Sequence, residues 1–211
     1  MTTALSGRRG QAARNDERIL AAARAVFVAD PGAPIAAVAE RAEVGISALY
    51  RRFRSKEELL QRLCADGLEV YIAAAEAAVA GDVEPGEAFA EFMRRVVEAD
   101  THSLTVALAG TFMPTEHLNE RARHAGELNA RLMDRARAAG AIRPDLEATD
   151  LGLIFEQLAA IKTDDQERTG ELRRRYLALI LDAIRHPSDP LPGPPPRPGE
   201  FAGRWIPKSR S

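Results

Sequence analysis

Between Ile35 and Leu60 the chain reads Ile-Ala-Ala-Val-Ala-Glu-Arg-Ala, then Glu-Val-Gly, then Ile-Ser-Ala-Leu-Tyr-Arg-Arg-Phe, then Arg-Ser-Lys-Glu-Glu-Leu-Leu. Apolar residues recur at helical spacing on both sides of the Gly45 break, so the stretch predicts two short helices around a tight turn. Ile35, Val38, Ala39 and Ala42 share one face of the first helix, and Leu49 and Phe53 share a face of the second. Ser55 is a good N-cap for a further helix, with Glu58 three residues on to complete a capping box. The pattern is a helix-turn-helix, the geometry that pushes one helix into the DNA major groove.

The 211-residue chain is rich in Ala, Leu, Arg and Glu and poor in aromatics, which predicts an all-α protein. The single cysteine, Cys64, excludes an internal disulfide and reads as an apolar filler in a helix. The first ten residues lack the apolar core of a secretory signal. No apolar run approaches the length of about 20 residues that spans a bilayer, so a soluble, cytoplasmic protein without membrane contact is expected. Arg and Lys outnumber Asp and Glu up to Leu63, and the balance reverses beyond it. A basic front on an acidic body suits a protein that touches phosphates with one end.

Residues 1–14 read as a flexible basic arm. A first helix is expected from Asn15 to Ala29, with Asn15 or Asp16 as N-cap and Ile19, Leu20, Ala23, Val26 and Phe27 inward. Asp30-Pro31-Gly32-Ala33 breaks it, and Pro34 suits the first turn of the next helix. The helix after Ser55 can run to about Ala80 and would couple the two ends mechanically. These elements place a DNA-binding unit at 15–74, with the helix-turn-helix at 34–53. Beyond Gly81-Asp82-Val83-Glu84-Pro85-Gly86 come helices near 87–100, 103–112, 116–139, 146–163 and 167–185, forming a second unit at 83–186. The proline-rich text of 187–211 reads as a disordered tail, either solvated or a docking site for a partner.

The run Leu49-Tyr50-Arg51-Arg52-Phe53 followed by Lys56 resembles the DNA-binding end of the TetR (tetracycline-repressor-like) family, over about the first 65 residues. The resemblance implies an N-terminal three-helix domain joined by a long helix to a larger helical ligand-binding and dimerisation domain. It assigns Gly45, Ile46, Ser47 and Ala48 to the groove-facing start, Tyr50, Arg51 and Arg52 to bases or backbone, and Lys56 to a phosphate. Ile46 and Ala48 cannot hydrogen-bond a base but can pack on thymine methyl groups, so thymine contacts and DNA deformability are expected to carry much of the preference. Two residues depart from the family pattern. Glu43 stands where glycine is usual, and Ala33 stands where a Thr or Ser usually caps the second helix.

The resemblance also implies a homodimer joined by the last two long helices, and a small-molecule effector in the body. The stripes Leu151, Ile154, Phe155, Leu158 and Leu172, Tyr176, Leu179, Ile180 are the dimer candidates, with internal core as the alternative. Phe89, Phe92, Met93, Val96, Leu104, Leu108, Phe112 and Met113 are the candidates for a pocket that would take a hydrophobic effector, with ordinary packing as the alternative. His117 and His124 are two turns apart, too far for a close metal-binding pair. No catalytic constellation, metal site or cofactor motif is present in the sequence. The expected function is a sequence-specific DNA-binding transcriptional regulator, a homodimeric repressor released by its effector. The competing reading is a helical small-molecule-binding or adaptor protein whose head has lost DNA binding.

Overall fold

The computed structural model describes residues 3–186, 189–197 and 199–206. These form helices α1 (Thr3–Ala29), α2 (Ile35–Arg41), α3 (Ile46–Arg52), α4 (Lys56–Ala80), α5 (Pro85–Glu98), α6 (Thr101–Leu108), α7 (Glu116–Ala138), α8 (Ala148–Ala160) and α9 (Gln166–Arg185), with a short 3₁₀ turn at Ala202–Trp205. No strand occurs among the described residues, in keeping with the all-α expectation.

The head is built from α1 to α3 and the start of α4. Phe27, Val38, Leu49 and Leu59 have no or almost no solvent exposure and form its centre. The α2–α3 turn closes by two backbone bonds, Val44 N–H to Ala39 O (3.0 Å) and Glu43 N–H to Glu40 O (3.0 Å), the pattern that ends a helix through a left-handed residue. That residue is Glu43, at φ 52°. Glycine adopts this conformation freely, whereas a side chain makes it unfavourable. Arg18 of α1 offsets the strain by donating to Ala42 O at 2.7 Å and to the Glu43 carboxylate at 3.4 Å. At α4, Ser55 Oγ accepts from Glu58 N–H as expected, but the Glu58 carboxylate reaches back to Arg54 N–H (2.6 Å) rather than to Ser55.

Two expectations about organisation are corrected, and the two cores interleave across the expected boundary between units. The basic arm at 1–14 is helical from Thr3 on, because nothing in an Ala- and Arg-rich segment stops α1 before Asn15; residues 1 and 2 lie outside the described residues. The boundary expected between 74 and 83 does not separate the cores. Tyr71, Ile72 and Ala75 of α4 already belong to the body core, while Leu104 and Leu108 of α6, with Phe112 and Leu118, complete the head core. The tail expected to be disordered packs on the body over its described part. Arg143 donates to Asp189 O (2.7 Å), Leu191 N–H donates to Asp145 (2.8 Å), and Arg204 pairs with Glu156 of α8 (2.7 Å). A Cβ on Gly110, whose φ is +72°, would lie 2.9 Å from Arg204 O, so only glycine admits the tail here. Residues 187, 188, 198 and 207–211 of the tail lie outside the described residues.

Replacing Glu43 by glycine removes the strain at the turn. Thermal unfolding should show a gain of about 0.5–1 kcal/mol, the left-handed penalty less a weak exposed ion pair.

Candidate functional site

The first turn of α3 projects from the head. Gly45 is its N-cap, in extended conformation. Gly45, Ser47, Arg51 and Arg52 are exposed and Ala48 is half-buried. Ile46 and Tyr50 keep 41% and 48% of their surface, large values for apolar side chains with a core at hand. Leu49 and Phe53 point the other way, into the core, and anchor the helix. Arg52 is also tied to Asp16 of α1 at 2.5 Å, which fixes the tilt of α3 on the head. The result is a face with an apolar leading edge, a phenol and two guanidinium groups, chemistry suited to phosphates and thymine methyls.

Lys56, which the resemblance assigns to a phosphate, is half-buried at the head of α4. Its ammonium donates to Pro31 O (3.0 Å) and Ala33 O (2.7 Å) and lies 4.9 Å from the centre of the Phe27 ring. It holds the α1–α2 turn from the head of α4, half-buried, with its charge directed at carbonyls of the protein itself. This also explains how α2 begins at Ala33-Pro34 with no side-chain cap: the lysine fixes the preceding loop instead.

The eight pocket candidates are not brought together. Phe89, Phe92, Met93 and Val96 are packed in the body core, Leu104, Leu108 and Phe112 in the head core, and Met113 is 55% exposed. The cause is the orientation of α6, whose apolar face turns toward the head. Of the dimer candidates on α8, Leu151, Phe155 and Leu158 are buried within the protomer and Ile154 is half-buried against the same core. On α9, Tyr176 and Leu179 are 49% and 57% exposed, with Leu172 and Ile180 half-buried alongside. His117 and His124 join no cluster of metal-ligating residues among those described.

Polar residues that the sequence pattern passed over occupy the middle of the body. Tyr71 and Asn129 exchange hydrogen bonds at 2.8–3.0 Å. Tyr71 sits edge-on to Phe92 and Phe155, and His102 lies 4.6 Å from Phe155 in a tilted stack. Burial pushes the His102 imidazole down to about 4, against a weaker opposing pull from Asp100, so the ring is neutral near pH 7. Beside it, buried Arg173 of α9 donates to Asp100 (2.6 Å), Ser103 Oγ (3.0 Å), Ala159 O (3.1 Å) and Ile161 O (3.1 Å). Asp100 is the second left-handed non-glycine residue, at φ 49°. Its carbonyl and that of Ala99 accept from Arg24 of α1, at 3.1 and 3.4 Å. One corner, between α5 and α6, therefore touches the head, the body core and α9.

Comparison with known proteins supports the same division of labour. Residues 19–63 match the family model "Bacterial regulatory proteins, tetR family", and residues 84–186 match "Transcriptional regulator SbtR-like, C-terminal domain". Among solved structures, a TetR transcriptional regulator from Streptomyces coelicolor is 26% identical, with 82% of this chain and 99% of that chain aligned at a TM-score of 0.54. A TetR regulatory protein from Mycobacterium vanbaalenii is also 26% identical, over 84% and 99% of the two chains, at 0.56. The ketosteroid transcriptional regulator of Mycobacterium tuberculosis shares the fold at 20% identity, over 82% and 95%, at 0.61. No curated protein sequence matches the chain.

Two outcomes follow for the head and one for the body. Tyr50→Ala should weaken DNA binding in a gel shift while leaving the melting temperature unchanged, because Tyr50 is exposed. Lys56→Met should instead destabilise the head by about 1–3 kcal/mol, the cost of carbonyls left without a donor. For His102 the folded value lies below the unfolded one, so the folded state binds fewer protons between the two. Stability should therefore fall as pH drops from about 6.5 toward about 4, and His102→Gln should flatten that slope in urea titrations.

Proposed function

The chain belongs to the tetR family of bacterial regulatory proteins, DNA-binding transcriptional regulators that respond to ligands, and we propose that it acts as a homodimeric repressor released from its operator by a small effector. The observation that carries the DNA contact is the exposed Ile46, Ser47, Tyr50 and Arg51 face on a helix whose other side is locked into the head core. With Lys56 hydrogen-bonded to the protein's own backbone and Arg52 paired with Asp16, phosphate contact falls first to Tyr50 and Arg51. The apolar leading edge favours thymine methyls and deformable sequence over arginine–guanine pairs.

A head of this size reads only one half-site, and two heads in a symmetric dimer would meet half-sites about 34 Å apart. Exposed Tyr176 and Leu179 on α9, flanked by half-buried Leu172 and Ile180, support α9 as the main contact, because an apolar stripe on a surface helix marks an interface. Half-buried Ile154 of α8 extends it. The effector would bind in the body, and the α5–α6 corner, which touches both α9 and the head, supports that reading.

A gel shift with DNA flanking the protein's own gene separates this reading from a helical adaptor that has lost DNA binding. A shift abolished by Tyr50→Ala supports the regulator, and no shift at any salt supports the adaptor. The interface is read by light scattering: Tyr176→Glu with Leu179→Glu should give a folded monomer with lost operator affinity. Leu151→Ala, inside the protomer, should cost about 2–5 kcal/mol of stability and leave association intact.

A further inference from the structure

The proline-rich tail is tied to the body at two places. Near the end of α9, buried Arg143 donates to Asp189 O (2.7 Å) and to the Asp145 carboxylate (2.6 Å), which also accepts Leu191 N–H (2.8 Å). Arg143 and Asp145 belong to the loop that follows α7. At the second place, Arg204 Nη1 contacts both carboxylate oxygens of Glu156 on α8, at 2.8 and 2.7 Å. Beside it the tail backbone lies over Gly110, which belongs to the loop that precedes α7. The two anchorages therefore stand at opposite ends of α7, one at the far end of the body and one next to the head. Between them Pro192, Pro194, Pro195 and Pro196 stiffen the chain. Left-handed Gly193 and Gly199 (φ +78° and +76°) and the Glu200 carboxylate, which accepts Arg197 N–H at 2.8 Å, turn it onto the second anchorage.

We propose that the tail is a strap that ties the α6–α7 loop to α8 and thereby keeps the recognition helix in its DNA-binding position. The loop under the strap is the junction with the head. It leaves α6 directly after Leu108 and runs into Phe112, and both side chains are buried in the head core with Leu49 of α3. The head holds the same loop through α4, where Gln61 donates to Met113 O (3.1 Å) and Glu57 accepts from Met113 N–H (3.4 Å). With the strap docked, the loop is fixed to α8 as well as to α4. With the strap lifted, the loop keeps only its ties to the head, and Leu108 and Phe112 can shift with it. Leu49 packs in that core, so the setting of α3 follows.

The two anchorages differ in strength, which sets where the strap opens. Arg143 is buried and its guanidinium serves both Asp145 and the tail backbone, so the Asp189–Leu191 end stays in place. The Arg204 and Glu156 side chains keep 44% and 34% of their surface, and an exposed pair of this kind is weak and screened by salt. The strap therefore opens at its Arg204 end. Reclosure is intramolecular, and the stiff prolines limit the entropy lost on docking. Arg204 and Glu156 are positioning residues, since they act on the head only through the loop.

The test uses the full-length protein with two readouts: hydrogen–deuterium exchange of residues 109–113, and gel-shift affinity for DNA flanking the protein's own gene. Arg204→Glu and Glu156→Arg should each speed exchange in 109–113 and weaken DNA binding about two- to fivefold, the range of an exposed ion pair. Helix content should stay unchanged. Arg204→Glu combined with Glu156→Arg re-forms the pair with its charges exchanged and should restore both readouts, a recovery that loss of local packing would not show. Unchanged exchange in both single variants, faster exchange with unaltered or tighter DNA binding, or no recovery in the double variant would each overturn the strap. The second readout rests on the DNA-binding reading, and the first does not. No shift by the unaltered protein at any salt counts against that reading and against the strap's effect on the head, while exchange still decides whether the tail holds the loop.

Discussion

The structure depends on α6 having two sides in two cores. Leu104 and Leu108 are buried with Phe27, Leu49 and Leu59 in the head, while His102, at the start of the same short helix, stacks on Phe155 in the body. A helix shared in this way cannot turn or slide without disturbing both, because close-packed side chains resist continuous deformation. The α6–α7 corner adds a second tie: Phe112 is buried in the head, and Gln61 of α4 donates to Met113 O at 3.1 Å. The recognition helix α3 and helix α6 are therefore packed into one core, through Leu49 on one side and Leu104 and Leu108 on the other.

The same logic explains why polar groups are tolerated in the interior. Arg173 has every donor direction it uses directed at a carbonyl, a hydroxyl or a carboxylate, so its burial carries no orphaned charge. Tyr71 and Asn129 satisfy one another in the middle of an aromatic cluster. Such groups specify one arrangement of α4, α6, α7 and α9 where a wholly apolar core would admit several.

Much of the head was legible in the sequence. The four-residue spacing of Val38 and Ala42, and of Leu49 and Phe53, sets which faces are buried, and the Glu43 turn was anticipated as the strained point. The role of Lys56 was not legible, because its acceptors are backbone carbonyls, which leave no trace in residue identity. The body was read less well for a related reason. Periodicity shows that a helix face is buried but not against what, so Leu104, Leu108 and Phe112 read as pocket residues when they belong to the head. Arg173 lies in a run of three arginines that looks solvated. The available signal was its spacing of four and eight residues from Leu177 and Leu181, which places it on the buried face of α9.

The head is held to the body through the α5–α6 corner, with Arg24 as its link. Distances between spin labels on the two heads of the proposed dimer test this link most directly. Ala36 is exposed on α2 and can be changed to cysteine for labelling. Cys64 should stay unlabelled, because burial pushes its thiol up to about 12. One narrow head-to-head distance is expected with Arg24 present and a broad distribution in Arg24→Gln, with the helix content of the body unchanged. The same narrow distribution in both proteins would contradict it.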